Sequence, residues 1–268
     1  MSRQPRLQSQ NGIYHVMLRG VNRQQIFENE DDYRKFIFIL HDMISPKDEL
    51  RRPLPPRCII YSYCLMPNHV HLLIQEKEEK ISVIVKQIAS RYAIYYNGKY
   101  EHFGHLFQDR FKSEPVSSYS YFLTLIRYIH QNPVAGKLCD TVEDYDWSSW
   151  REFTNAPNRM SAVCSVPVVL HRIPLDELKE QVHTPLPKAQ QVLEFDRYRG
   201  FAPDEAVIDF LKSTYNIKRP KDLNLYTKER RNEILTAAKE FGASIRQLSR
   251  LTSISEYIIS HAGAKPRD

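Results

Sequence analysis

Two short patterns in this chain carry side chains that can do chemistry together. His69-Val70-His71 is the single H-x-H of the sequence. Residues i and i+2 of a strand project to one face, so both imidazoles point the same way while Val70, Leu72 and Ile74 point into a core. Paired neutral imidazoles are good ligands for one divalent cation and costly to protonate together. A bare H-x-H recurs by chance, and two histidines on an exposed sheet face is its ordinary explanation. Here the strand has an apolar opposite face and follows a Met66-Pro67-Asn68 turn that fixes its start. The second pattern is Tyr128 with Asn132, four apart and so on one face of a helix. A tyrosine hydroxyl can attack phosphorus and form a phosphotyrosine. Its phenol ionises near pH ~10, and a divalent cation on the scissile phosphate would stabilise the developing charge. Tyr121, two turns earlier, is the rival nucleophile. With 16 tyrosines in the chain, any one of them taken alone is better explained as a core aromatic.

The elements that must position these residues follow from periodicity. Residues 13–19, 58–65, 69–75 and 105–113 read as strands, the second and third as a hairpin. Residues 31–44, 80–97 and 118–131 read as helices, the last stopped by Asn132-Pro133. The order β-α-β-β-α-β-α predicts an α+β fold. It is a ferredoxin-like, four-stranded antiparallel sheet with one added helix, placed on the other face or edge of the sheet. This domain is expected to span 1–153. Residues 154–188 read as a proline-punctuated linker with a short helix near 175–182. Residues 189–268 read as a smaller all-α domain, with helices at 203–215, 227–241, 244–251 and 254–262.

Composition narrows the function. Lys and Arg number 38 against 32 Asp and Glu, a formal charge of +6 over 268 residues, which suits a polyanionic partner. The eight glycines, at 12, 20, 98, 104, 136, 200, 242 and 263, make neither a P-loop nor G-x-G-x-x-G. Phosphate would therefore be handled by side chains or a metal, and no nucleotide cofactor is expected. Cys58, Cys64, Cys139 and Cys164 form no C-x-x-C pair and read as reduced thiols. The polar start and the lack of a long apolar run predict no signal peptide, no membrane partner and a cytoplasmic protein.

Taken in order, four motifs resemble one family. H-V-M-L-R-G-V-N-R at 15–23 with I-F at 26–27, P-N-H-V-H-L-L-I at 67–74, G-H-L-F-Q-D-R-F-K-S at 104–113 and R-Y-I-H-Q-N-P-V at 127–134 resemble the single-tyrosine HUH transposases, and within them the REP-associated tyrosine transposases. The resemblance covers about residues 10–153. It implies metal-dependent cleavage and rejoining of single-stranded hairpin DNA through a 5′-phosphotyrosine. Tyr128 matches the nucleophile, and His69 and His71 match the pair holding a divalent cation, Mg2+ or Mn2+. Asn132 matches the position of a further polar ligand, for which His15, His102 and His105 are rivals. Such proteins act as monomers or as homodimers, some with shared active sites.

Arg19, Arg23, Arg110 and Lys112 are candidate phosphate contacts, Arg110 and Lys112 on one strand face; an ordinary solvated charge is the competing explanation, and the better one for Arg23. Tyr92, Tyr95 and Tyr96 could stack on bases, although their helical spacing beside Ile84, Ile88 and Ile94 suits a core. Residues 244–262 resemble a helix-turn-helix able to meet duplex DNA, with Arg246, Arg250, Ser255, Glu256 and Tyr257 on the surface. Ser253 stands where glycine is common in that turn, and a plain helical bundle explains the segment as well. Two other functions compete with the transposase: a sequence-specific DNA-binding regulator that does not cut, and a metal hydrolase using water at His69 and His71.

Overall fold

The structure is a computed structural model that describes residues 7–108, 111–155, 162–186, 202 and 204–263. The chain divides into two compact units, Met1–Arg197 and Tyr198–Asp268.

The first unit is built on β1 (Ile13–Arg19), α1 (Glu30–Ile44), β2 (Cys58–Met66), β3 (His69–Glu76), α2 (Ile81–Tyr100), β4 (Lys112–Pro115) and α3 (Tyr119–Ala135). The strands form one sheet in the order β2-β3-β1-β4, with every pairing antiparallel. That is the ferredoxin-like topology expected from the element order. Alternation sets the two faces. Tyr14, Val16, Leu18, Val70, Leu72 and Ile74 join Phe36, Leu40, Ile84, Ile88 and Tyr92 of α1 and α2 in one core. The other face carries His15, Met17, His69 and His71, and α3 packs on that side against β2 and β3.

Asn29 and Asp32 form a capping box at the start of α1, the acidic start visible in the sequence. The turn at 67–68 is clamped from outside. Gly20 N–H donates to Asn68 O at 2.9 Å, and Ile26 N–H donates to Pro67 O at 2.7 Å. A Cβ at Gly20 would stand 2.4 Å from Gln24 O, so this approach needs glycine.

The fourth strand differs from its expected span of 105–113. Phe107 bridges Gly20, and Gln108 N–H reaches Arg19 O at 2.7 Å. Ladder pairing then resumes at Lys112 opposite Met17. The chain from Phe107 to Lys112 has two residues more than the β1 stretch it faces, so one continuous register is impossible. Helix α3 also runs past its expected end and contains Pro133. A proline in the last turn forfeits one hydrogen bond only. The carbonyls of Asn132, Pro133 and Val134 accept from Gly136, Leu138 and Lys137 at 2.8, 2.9 and 3.0 Å.

The stretch read as a linker contains α5 (Val166–Leu170) and α6 (Leu175–His183), after α4 (Trp150–Phe153). Ser165 N–H donates to Ile60 O at 2.8 Å, Leu65 N–H to Trp147 O at 2.9 Å and Ser149 N–H to Tyr63 O at 3.0 Å. These segments cover the open edge of β2. They belong to the first unit because buried Glu152 accepts from Val163 and Cys164 N–H at 2.9 and 2.7 Å. Local periodicity carries no sign of such long-range anchoring.

The second unit contains α7 (Asp204–Tyr215), α8 (Lys228–Phe241), α9 (Ile245–Thr252) and α10 (Glu256–His261). Val207, Leu211, Ile234, Leu235, Leu248 and Ile259 form its core. Ser253, between α9 and α10, has φ 60°, a left-handed conformation that L-residues adopt at a cost. Ser253→Gly is expected to raise the stability of this unit by about 0.5–1 kcal/mol, read as a higher urea midpoint. An unchanged or lower midpoint would contradict that account of the turn.

Candidate active site

The H-x-H strand and the tyrosine helix face one another. His69 and His71 sit at the start of β3, pairing with Arg19 and Met17 of β1. Their rings are 4.9 Å apart and nearly perpendicular. The Tyr128 ring stands edge-on to His71 at 5.4 Å and to His15 at 5.9 Å. His15, one of the rival ligands, is thus brought to the site. His71 Nδ1 and His15 Nε2 are 3.0 Å apart, and the two rings stack at 5.2 Å. The other rivals lie past the end of α2, where His102 meets Asn97 at 2.7 Å and His105 is exposed.

The three site histidines are buried, and burial holds each imidazole neutral. Burial takes the His15 pKa down to about 4. For His69 burial, helped by the nearby Arg19 guanidinium, lowers it to about 3. For His71 burial, then the charges of His69 and His15, hold it well below the usual imidazole range. Neutral imidazole is the ligand form. Each ring of the pair uses Nδ1 in a hydrogen bond, His69 to Asn68 Oδ1 at 2.6 Å and His71 to His15. Hydrogen-bonding one ring nitrogen while the other binds is how metal-ligating histidines are held. Asn132 turns its amide nitrogen back to Tyr128 O at 2.7 Å, which leaves Oδ1 as the acceptor atom of that side chain. By donor chemistry, two imidazole nitrogens and an amide oxygen are a set that suits a divalent cation. Among the described residues no group of three or more His, Cys, Asp and Glu is arranged for a metal.

Helix α3 is clamped on its other sides. His130, buried and off the Tyr128 face, meets Ser149 Oγ at 2.8 Å. Arg127 and Gln131 donate to the carbonyls ending α6, at Thr184 (2.9 and 2.6 Å) and Val182 (2.6 Å). Sequence periodicity gives no hint of this clamp, because the segment that supplies it reads as a linker. Tyr121 lies on the same side of α3 as Tyr128. Burial, then the Glu114 carboxylate, push its phenol pKa up, which weakens it as a nucleophile. Glu114 stands opposite His15 in the register.

The remaining candidates separate. Arg19 and Lys112 fall on the His69/His71 face of the sheet, and Arg23 is exposed in the loop after β1. Arg110 lies outside the described residues. Tyr92 and Tyr96 are buried. Their hydroxyls reach Ile26 O and Glu28, and that of Tyr95 reaches Asp32, so these three tyrosines serve the core. In the second unit Arg246 pairs with Glu256 at 3.6 Å. Arg250 grips Asp204 with two nitrogens at 2.7 and 2.9 Å. Tyr257 is 73% exposed and lies against His261.

Residues 8–132 match the family model described as "Transposase IS200 like". A solved structure of a REP-associated tyrosine transposase bound to a REP hairpin is similar over 58% of this chain and 86% of its own, at 16% identity and a TM-score of 0.46. Among curated protein sequences none matches the chain. No helix among the described residues is long and apolar enough to cross a membrane.

Proposed function

We propose that the first unit cleaves and rejoins single-stranded DNA at hairpin-forming palindromes by transesterification. The observation that carries the reading is the Tyr128 ring set edge-on against the buried His15/His71 pair, opposite the H-x-H strand. The Tyr128 oxygen attacks the scissile phosphorus and the bond from phosphorus to the 3′ oxygen breaks. The 5′ phosphate stays on the tyrosine, and the leaving oxygen takes a proton to become a free 3′-hydroxyl. Attack by another 3′-hydroxyl reverses the step. The ester linkage is conserved throughout, so no nucleotide is consumed. His69 and His71, with Asn132, would hold Mg2+ or Mn2+. When bound, the cation polarises the phosphate and stabilises its developing charge. Arg19 and Lys112 lie on the same sheet face and would position the strand.

In the second unit α9 and α10 would meet duplex DNA through Tyr257. Arg246 and Arg250 would first have to exchange the carboxylates of Glu256 and Asp204 for phosphates.

The test is incubation of the full chain with labelled single-stranded hairpin DNA and Mg2+ or Mn2+, followed by a denaturing gel. A covalent protein–DNA band is expected, absent with EDTA and lost in His69→Ala and His71→Ala. Hairpin binding without any covalent band would instead favour a DNA-binding regulator. Cleavage without an adduct would favour water as the nucleophile.

A further inference from the structure

We propose that His15 is a positioning residue for His71. It accepts the His71 Nδ1 proton on its own Nε2 and so keeps Nε2 of His71 unprotonated toward the cation. This rests on the metal-holding role proposed above for His69 and His71.

The geometry is specific. His15 faces Leu73 across the β1–β3 ladder, so His71 is its diagonal neighbour on the same sheet face. The two nitrogens are 3.0 Å apart, the rings are 16° from parallel, and the residues are 0% and 1% exposed. A neutral imidazole has one N–H and one lone pair. If His15 donates in this bond, His71 carries its proton on Nε2 and cannot ligate. If His71 donates from Nδ1, its Nε2 lone pair is available. A cation on His71 therefore selects the second arrangement, which needs an acceptor at Nδ1. In this water-poor position His15 Nε2 is the acceptor at hand. The remaining nitrogen of His15, Nδ1, is buried with no hydrogen-bond partner. A histidine retained at the cost of that unsatisfied atom is expected where its other nitrogen serves a purpose. Asn68 Oδ1 stands in the same relation to His69 Nδ1, so both members of the pair are oriented from behind.

The experiment measures Mn2+ binding to the full chain by calorimetry, and the His71 tautomer by 15N NMR of the wild-type protein with Zn2+. His15→Phe keeps an aromatic ring but removes the acceptor, and is expected to weaken Mn2+ binding about 10–100-fold. His15→Gln restores an acceptor oxygen and is expected to recover most of that loss. The NMR signature expected is a protonated Nδ1 on His71 in the loaded protein. Wild-type Mn2+ affinity in His15→Phe overturns the proposal, as does equal loss in His15→Gln. A loaded wild-type protein with His71 protonated at Nε2 overturns it too, and needs no variant to fold. His71→Ala separates the two readings. If it leaves Mn2+ binding intact, the metal-holding role itself fails; if it abolishes binding while His15→Phe does not, only the positioning role fails.

Discussion

Tyr128→Phe is expected to abolish the covalent protein–DNA band and to reduce strand cleavage by at least about 10³-fold, as for removal of an essential nucleophile. The substitution deletes one oxygen. The ring edges that meet His15 and His71 at 5.9 and 5.4 Å remain, so the helix keeps its seat and hairpin binding survives. Tyr121 shares the face but its phenol is harder to ionise, through burial and the Glu114 carboxylate. It should not substitute, and Tyr121→Phe should still form the adduct. The measurement is a denaturing gel with labelled hairpin DNA and Mn2+, run beside a binding assay. An adduct that persists in Tyr128→Phe and vanishes in Tyr121→Phe would reverse the assignment.

What is legible in the sequence is what local periodicity encodes. Alternation within β3 alone puts His69 and His71 on one face and sends Val70, Leu72 and Ile74 to the other, where all three are buried. Tyr128 and Asn132 follow from helical spacing in the same way. The rest depends on partners distant in sequence. The place of His15 is set by which residue of β3 faces it, and no pattern within either strand states that register. The clean alternation of Phe107 and Phe111 suggests one strand, yet pairing to β1 needs two fewer residues than the chain supplies there. The proline-punctuated stretch after α4 looks like a linker because its contacts, Ser165 to Ile60 and Thr184 to Arg127, leave no periodic trace. The second of these contacts holds the helix that carries Tyr128, so part of the site's scaffold lies beyond its motifs.

The largest stability effect is expected at Asp32, on the opposite side of the sheet. Its side chain is fully buried and gathers five donors. Oδ2 accepts from Glu28 and Asn29 N–H at 2.7 and 3.2 Å and from the Tyr100 hydroxyl at 2.8 Å. Oδ1 accepts from Lys99 Nζ at 2.7 Å and the Tyr95 hydroxyl at 3.1 Å. The carboxylate therefore ties the loop before α1 to the end of α2. Asp32→Ala removes the shared acceptor of all five donors. Breaking a buried ion pair costs about 3–5 kcal/mol, and because Lys99 is 27% exposed and can turn to water, the lower end, about 3 kcal/mol, is expected. Asp32→Asn keeps an acceptor oxygen and the helix cap, and should lose only about 1–2 kcal/mol. Both tryptophans, Trp147 and Trp150, lie in the first unit, so tryptophan fluorescence in urea follows that unit alone. A loss under about 1 kcal/mol for Asp32→Ala would mean that water replaces the carboxylate without penalty. Because Asp32 and Tyr128 lie on opposite faces of the sheet, Asp32→Ala below its unfolding midpoint should still form the covalent adduct. Tyr128→Phe should show the reverse, a midpoint well above that of Asp32→Ala and no adduct, which separates what holds the sheet together from what the sheet presents.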